Sequence, residues 1–197
     1  AEGVLYAPHV IVENGMYFMF HNSSGTAHLL VSDDGVNFRQ GKNHKGSYVL
    51  FDAGNAGRDL MVLDNRERDG LWYVYYSSID TTREVLGTRQ YTDVYVRTAT
   101  SLPGPWSKPV AAGMGTQDRP KSIQHYPANF VNAESPFVVF HEGYYYKFEQ
   151  CHVVGSTDPM HFENKKVITS LFPDFKYPEI GGLPLLQRLF RMEINGS

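Results

Sequence analysis

Two carboxylates, Asp59 and Glu134, each stand directly ahead of an apolar run that is typical of a β-strand. Two carboxyl groups facing one cavity are the set needed to hydrolyse a glycosidic bond. One donates a proton to the leaving oxygen, and the other activates water or attacks the sugar carbon. Taken singly, each acid has an ordinary alternative. Asp59 would be a turn residue paired with Arg58, and Glu134 a solvated residue before a strand.

The runs behind these acids belong to a unit that occurs three times in the chain. The first and third copies keep the same spacing from proline to turn glycine, Pro8 to Gly15 and Pro136 to Gly143. The middle copy has a longer charged turn and lacks the proline. Glycine is favoured in tight turns because they need positive φ. Each copy is therefore predicted to form an antiparallel meander of three or four strands.

This repetition predicts an all-β fold, a β-propeller in which four-stranded sheets stand around an axis. The predicted domain covers residues 1–197, with blade-like units at 5–40, 57–107 and 133–165 and an incomplete unit at 166–197. A β-sandwich of unrelated hairpins is the alternative. The shared order of apolar run, glycine turn, aromatic run and acidic turn favours the propeller.

In a propeller the first strands of the blades surround the axis, so residues at their heads can reach one pocket. The predicted heads carry Ala7, Asp59 and Glu134, which would bring two acids to a common cavity. Their separation would decide the stereochemical outcome, with about 6.5–9.5 Å for inversion and about 5–5.5 Å for retention.

Composition excludes several other classes of function. The net charge of −3 and the lack of a Lys/Arg cluster argue against a nucleic acid partner. No run is long and apolar enough to cross a membrane. The single Cys151 excludes an internal disulfide framework and a cysteine-based zinc site. The histidine spacing predicts no metal site either. The aromatic content of 14% suits both strands and sugar-stacking surfaces.

The segments at 134–136, 58–60 and 7–9 resemble the five-bladed β-propeller glycosidases of glycoside hydrolase family 43, and more loosely family 32. The resemblance covers roughly residues 5–165. It implies that Glu134 is the general acid, and that Asp59 raises the pKa of this acid and orients substrate. Two positions depart from the family pattern. Leu60 stands where a proline is usual, and His9 stands where an aspartate is usual.

The family also places a third carboxylate, the general base or nucleophile, on its first blade. By this comparison the chain would start at the second blade and carry only part of the last, so the base has no visible counterpart. A truncated piece, a second chain that completes the propeller, and a reduced fold all stay open.

Four further residues are candidates for substrate binding: Arg58, His9, His125 and Tyr6. Ordinary alternatives are a surface loop histidine for His125 and core packing for Tyr6. The resemblance implies no required cofactor, leaves room for a structural calcium ion on the propeller axis, and favours a secreted or periplasmic location.

The sequence thus predicts a glycoside hydrolase that acts on a plant-type poly- or oligosaccharide, an arabinoside, a xyloside or a fructoside. A carbohydrate-binding propeller without activity, including a truncated inactive homologue, is the first alternative. A sugar phosphorylase is the second, ranked last because Arg58 is the only basic residue at a predicted blade head.

Overall fold

A computed structural model describes residues 6–23, 25–80, 91–112, 134–149, 152–162 and 167–170. Within these residues the chain forms three antiparallel sheets and one short helix. His125 and Cys151 lie outside the described residues.

The first sheet has five strands, in which β1 to β4 pair in chain order and β5 also pairs with β3. These strands are β1 (Tyr6–Glu13), β2 (Met16–Ser23), β3 (Thr26–Ser32), β4 (Arg39–Gln40) and β5 (Val49–Asp52).

The second and third sheets have four strands each, again paired in chain order. The second contains β6 (Arg58–Asp64), α1 (Arg66–Asp69) in the first turn, β7 (Trp72–Asp80), β8 (Tyr91–Ala99) and β9 (Val110–Ala111). The third contains β10 (Phe137–His141), β11 (Tyr144–Glu149), β12 (His152–Ser156) and β13 (Val167–Ser170).

The hairpins of the first and third sheets turn through two residues with positive φ. Asn14 and Gly15 have φ of 51° and 77°, and Glu142 and Gly143 have φ of 47° and 85°. Positive φ at both central residues is the geometry whose twist matches paired antiparallel strands. The glycine turns predicted for these two copies are therefore present.

The second sheet lies between the other two and is buried on both faces. Side chains alternate along β7, because successive residues of a strand point to opposite faces. Trp72 and Tyr76 pack with Phe20 and Phe51 of the first sheet. Tyr75, on the opposite face, packs in a cluster that includes side chains of the third sheet. Burying one large side chain of this kind contributes about 1.5–3 kcal/mol, so two such layers fix the order of the sheets.

Polar contacts join the same sheets. The Nε2 of His9 in β1 donates to the carbonyl of Val62 in β6, 3.1 Å away. The hydroxyl of Tyr145 in β11 donates to Oδ1 of Asn65, at 2.9 Å. The first strands β1, β6 and β10 thus stand side by side, as the inner strands of successive propeller blades do.

The surroundings of two histidines, His9 and His21, lower the pKa of each side chain. Burial lowers the pKa of His9 below the ordinary value of 6.5. Burial also lowers the pKa of His21, and the stacked ring of His28 lowers it further. The folded chain therefore resists protonation at two positions where the unfolded chain accepts it.

We expect the free energy of unfolding to decrease as the pH falls from about 7.5 to about 5.5. Both folded pKa values are lowered, so the unfolded state binds more protons below 6.5, and the stabilisation present above 6.5 is lost as the pH falls. Urea unfolding across this range measures the slope. His21→Phe should flatten it, whereas His141→Gln, at a side chain that is 71% exposed, should not. Equal slopes for all three proteins would contradict this assignment.

Candidate active site

The first two sheets begin with the same irregularity in strand pairing. Tyr6 pairs with Asn22 and His9 with Phe20, so β1 holds one residue more than β2 over this stretch. Arg58 pairs with Ser77 and Met61 with Tyr75, which repeats the bulge in the second sheet. Bulges bend a strand and re-aim the side chains beside it, and they are frequent next to active sites.

A residue with left-handed backbone marks the same place in all three copies. The φ values are 43° for Ala7, 58° for Asp59 and 53° for Ser135. Glu134 therefore corresponds to Arg58 and Tyr6 rather than to Asp59. The predicted set of heads, Ala7, Asp59 and Glu134, was one residue out of register in the third copy, because equal proline spacing aligns Ser135 with Ala7.

Arg58 connects the two acids. Its Nη2 donates to Oε1 of Glu134 at 2.6 Å, and its Nε lies 3.8 Å from Oδ2 of Asp59. The side chains of Arg58, Glu134 and Asp59 are 29%, 29% and 21% exposed, so each is partly open to solvent. A charge-assisted contact of this length fixes the orientation of Glu134 against the second sheet.

Two serines complete the connection between the acids. The Oγ of Ser135 donates to Oδ2 of Asp59 at 3.2 Å, and the Oγ of Ser77 lies 3.4 Å from the same oxygen. Ser77 Oγ also accepts the backbone N–H of Ser135 at 3.1 Å. We call these five residues, Arg58, Asp59, Ser77, Glu134 and Ser135, the head cluster. The fold thus brings the two sequence-predicted acids into one hydrogen-bonded group.

Arg58 has further partners within the protein. Its Nη1 donates to the carbonyl of Ala56 at 3.0 Å, and its Nη2 donates to Oγ1 of Thr92 at 3.1 Å. These contacts hold the guanidinium against the second sheet. These bonds allow Arg58 to position Glu134. Direct contact of Arg58 with substrate stays a prediction.

Among the described residues, one oxygen of Glu134 is bonded and the other is not. Oε1 accepts from Arg58, whereas Oε2 has no hydrogen-bond partner among the described residues. A general acid must carry its proton on an oxygen that can reach the leaving group. Oε2 is therefore the atom of Glu134 suited to proton transfer.

The other candidates lie at the edge of this group. Tyr6, at the position equivalent to Glu134, is 55% exposed and has a face open to solvent. His9 uses Nε2 to bond Val62, so this nitrogen serves the contact between sheets. Their roles in sugar binding, and that of His125, stay predictions.

Metal binding has no visible basis in the described part of the chain. No three His, Cys, Asp or Glu side chains there lie close enough together to hold an ion. The structural calcium ion on the propeller axis stays a prediction. Nor is any described helix long and apolar enough to span a membrane.

Sequence reasoning missed Ser77, Thr92 and Asn22. None carries a charge, and each contributes through a contact with a distant segment. Asn22 Oδ1 accepts the backbone N–H of Asp59 at 3.3 Å. Counting strand pairs outward from each turn places Asn22 opposite Ala7 and Ser77 opposite Asp59. The bulges shift these partners by one residue, to Tyr6 and Arg58, so the signal available beforehand is one residue out.

Solved structures of glycoside hydrolases share this arrangement of sheets. A thermostable family 43 glycoside hydrolase matches with a TM-score of 0.64 and 22% identity, covering 85% of this chain and 55% of its own. The GH43 protein BlXynB from Bacillus licheniformis matches with a TM-score of 0.60 and 13% identity, over 88% and 32%. A family 117 glycoside hydrolase from Zobellia galactanivorans matches with a TM-score of 0.54 and 14% identity, over 85% and 56%.

The chain thus spans between about a third and just over half of these proteins. No family sequence model and no curated protein sequence matches it. The likeness in structure confirms the predicted partial propeller, and it confirms the resemblance to family 43 at the level of the fold.

Proposed function

We propose that this chain forms part of a glycoside hydrolase that acts on a plant-type poly- or oligosaccharide. In this proposal Glu134 donates the proton to the leaving oxygen through Oε2. Asp59 provides a fixed negative charge beside it and orients the sugar. Tyr6 provides an exposed ring on which a sugar can stack, and Arg58 and His9 stand beside the bound sugar.

The observation that carries the proposal is the head cluster. Asp59 and Glu134 come from different sheets and lie 75 positions apart in the sequence, yet Arg58 and Ser135 join them. Both acids keep an exposed side, so a sugar can approach. A proton donor with a fixed negative charge beside it, at a position that is partly open to solvent, is the pairing that supports this proposal.

Hydrolysis of 4-nitrophenyl glycosides tests this proposal directly. We expect the chain, assayed with the full protein that contains it, to release nitrophenol from an α-L-arabinofuranoside, a β-D-xylopyranoside or a fructoside. Product analysis by NMR then reports the configuration at the anomeric carbon. Absence of turnover on all three substrates, with the protein shown to be folded, would overturn the enzymatic proposal.

One observation favours a second candidate, a propeller that binds carbohydrate without cleaving it. Oε1 of Glu134 is already engaged by Arg58 at 2.6 Å, a contact that suits a structural ion pair as well as a reacting group. Calorimetry with arabino- and xylo-oligosaccharides distinguishes the two. Binding without any release of reducing sugar favours the binding module.

A further inference from the structure

One residue at the head of each sheet has a left-handed backbone conformation, which is unfavourable unless neighbouring groups stabilise it. Ala7, Asp59 and Ser135 all have positive φ without being glycine. A left-handed non-glycine residue costs about 1–3 kcal/mol, and it persists only where its surroundings determine it. At Asp59 and Ser135 this conformation also sets the direction in which the acids of the head cluster point.

The same hydrogen bond holds two of these residues. In each case a side chain on the second strand of one sheet accepts the backbone N–H of the left-handed residue of the next sheet. Asn22 Oδ1 accepts from Asp59 at 3.3 Å, and Ser77 Oγ accepts from Ser135 at 3.1 Å. Asn22 and Ser77 occupy equivalent positions, since they pair with Tyr6 and Arg58. The chain therefore repeats one device between successive sheets.

We propose that Ser77 is a positioning residue that sets the placement of Glu134 relative to Asp59. Its single hydroxyl accepts from the amide directly after Glu134 and lies within hydrogen-bond reach of Oδ2 of Asp59. This role rests on the proposed function, because it concerns the two acids assigned there. Ser77 itself does not meet the sugar.

Burial makes this hydroxyl difficult to replace. Ser77 has no exposed surface, so water is not at hand to take over its bonds. Removing the hydroxyl leaves the Ser135 N–H without its acceptor and Asp59 without one of its neighbours. The strained backbone at Ser135 is then free to relax, which moves Glu134. Misplacement of a reacting group by about 1 Å can reduce a rate about 100-fold.

Ser77→Ala should therefore lower kcat on an oligosaccharide, whose leaving group needs protonation, about 10- to 100-fold while KM changes less than about twofold. Ser77→Thr, which keeps a hydroxyl, should restore most of the rate. Ser78→Ala is the matched control. It removes a hydroxyl of similar burial from the same strand, but one that bonds the carbonyl of Asn55 instead. Hydrogen exchange at the Ser135 amide provides a readout that needs no turnover, and it should accelerate in Ser77→Ala alone.

Each outcome decides the point. An unchanged kcat in folded Ser77→Ala, or an equal loss in Ser78→Ala, overturns the positioning role. If the wild type turns over no glycoside, the proposed function fails. Hydrogen exchange at the Ser135 amide then tests the bond between Ser77 and Ser135 without any activity. Unaltered exchange in Ser77→Ala overturns the inference in that case too, and faster exchange supports it.

Discussion

Glu134→Gln should reduce hydrolysis of a glycoside with a poor leaving group by about 10²–10⁴-fold. Glutamine keeps the size of the side chain and can still accept a hydrogen bond from Arg58, but it carries no acidic proton. Binding of sugar should change little, because the contacts around the site persist. The measurement is kcat and KM on a natural oligosaccharide, with calorimetry of the same variant.

The leaving group supplies a second check on this assignment. Dinitrophenyl glycosides need little protonation as they depart, so Glu134→Gln should lose much less rate on them than on an oligosaccharide. Glu142→Gln, at a side chain that is 81% exposed in the hairpin of the same sheet, is the control and should keep full activity. Retained turnover of oligosaccharide by Glu134→Gln would remove Glu134 from the role of acid.

The sheets could be predicted from the sequence because their signals are local. The alternation of apolar and aromatic residues, and turn pairs such as Asn14-Gly15 and Glu142-Gly143, act over a few residues. Glycine adopts positive φ at no steric cost and asparagine tolerates it, so a turn pair such as Asn14-Gly15 can be recognised from the residue types. The repetition of three similar units then predicted a propeller of successive sheets.

The contacts within the candidate site could not be predicted from local sequence signals. Asp59 and Glu134 were found as acids ahead of strands, but their connection runs through Arg58 and Ser77, whose partners lie far along the chain. The position that Asp59 takes in its sheet depends on the bulge in β6. That bulge is defined by how β6 pairs with the second strand, β7. A one-residue difference in register exchanges the faces of a strand, which is why head positions need the structure.

A buried ion pair in the third sheet is a further feature that residue types alone did not reveal. Lys147 and Glu149 follow one another on the same face of β11, with Nζ and Oε2 2.5 Å apart and exposures of 0% and 1%. Lys147 also lies 5.3 Å from the ring centre of Phe162. Oε1 of Glu149 has no hydrogen-bond partner among the described residues. The aromatic run that predicted β11 thus contains two buried charged side chains, and each is the ion-pair partner of the other.

Lys147→Ala should lower the free energy of unfolding by about 3–5 kcal/mol, since it leaves the Glu149 carboxylate buried and unpaired. Replacing both residues together, Lys147→Met with Glu149→Leu, should cost far less or even stabilise the protein, because no charge then remains in the core. Urea unfolding at one pH and temperature compares the variants. Glu142→Ala, which breaks an exposed contact with His141, is the control and should change stability by less than about 1 kcal/mol. A double variant as unstable as Lys147→Ala would show that packing, and not the unpaired charge, sets the loss.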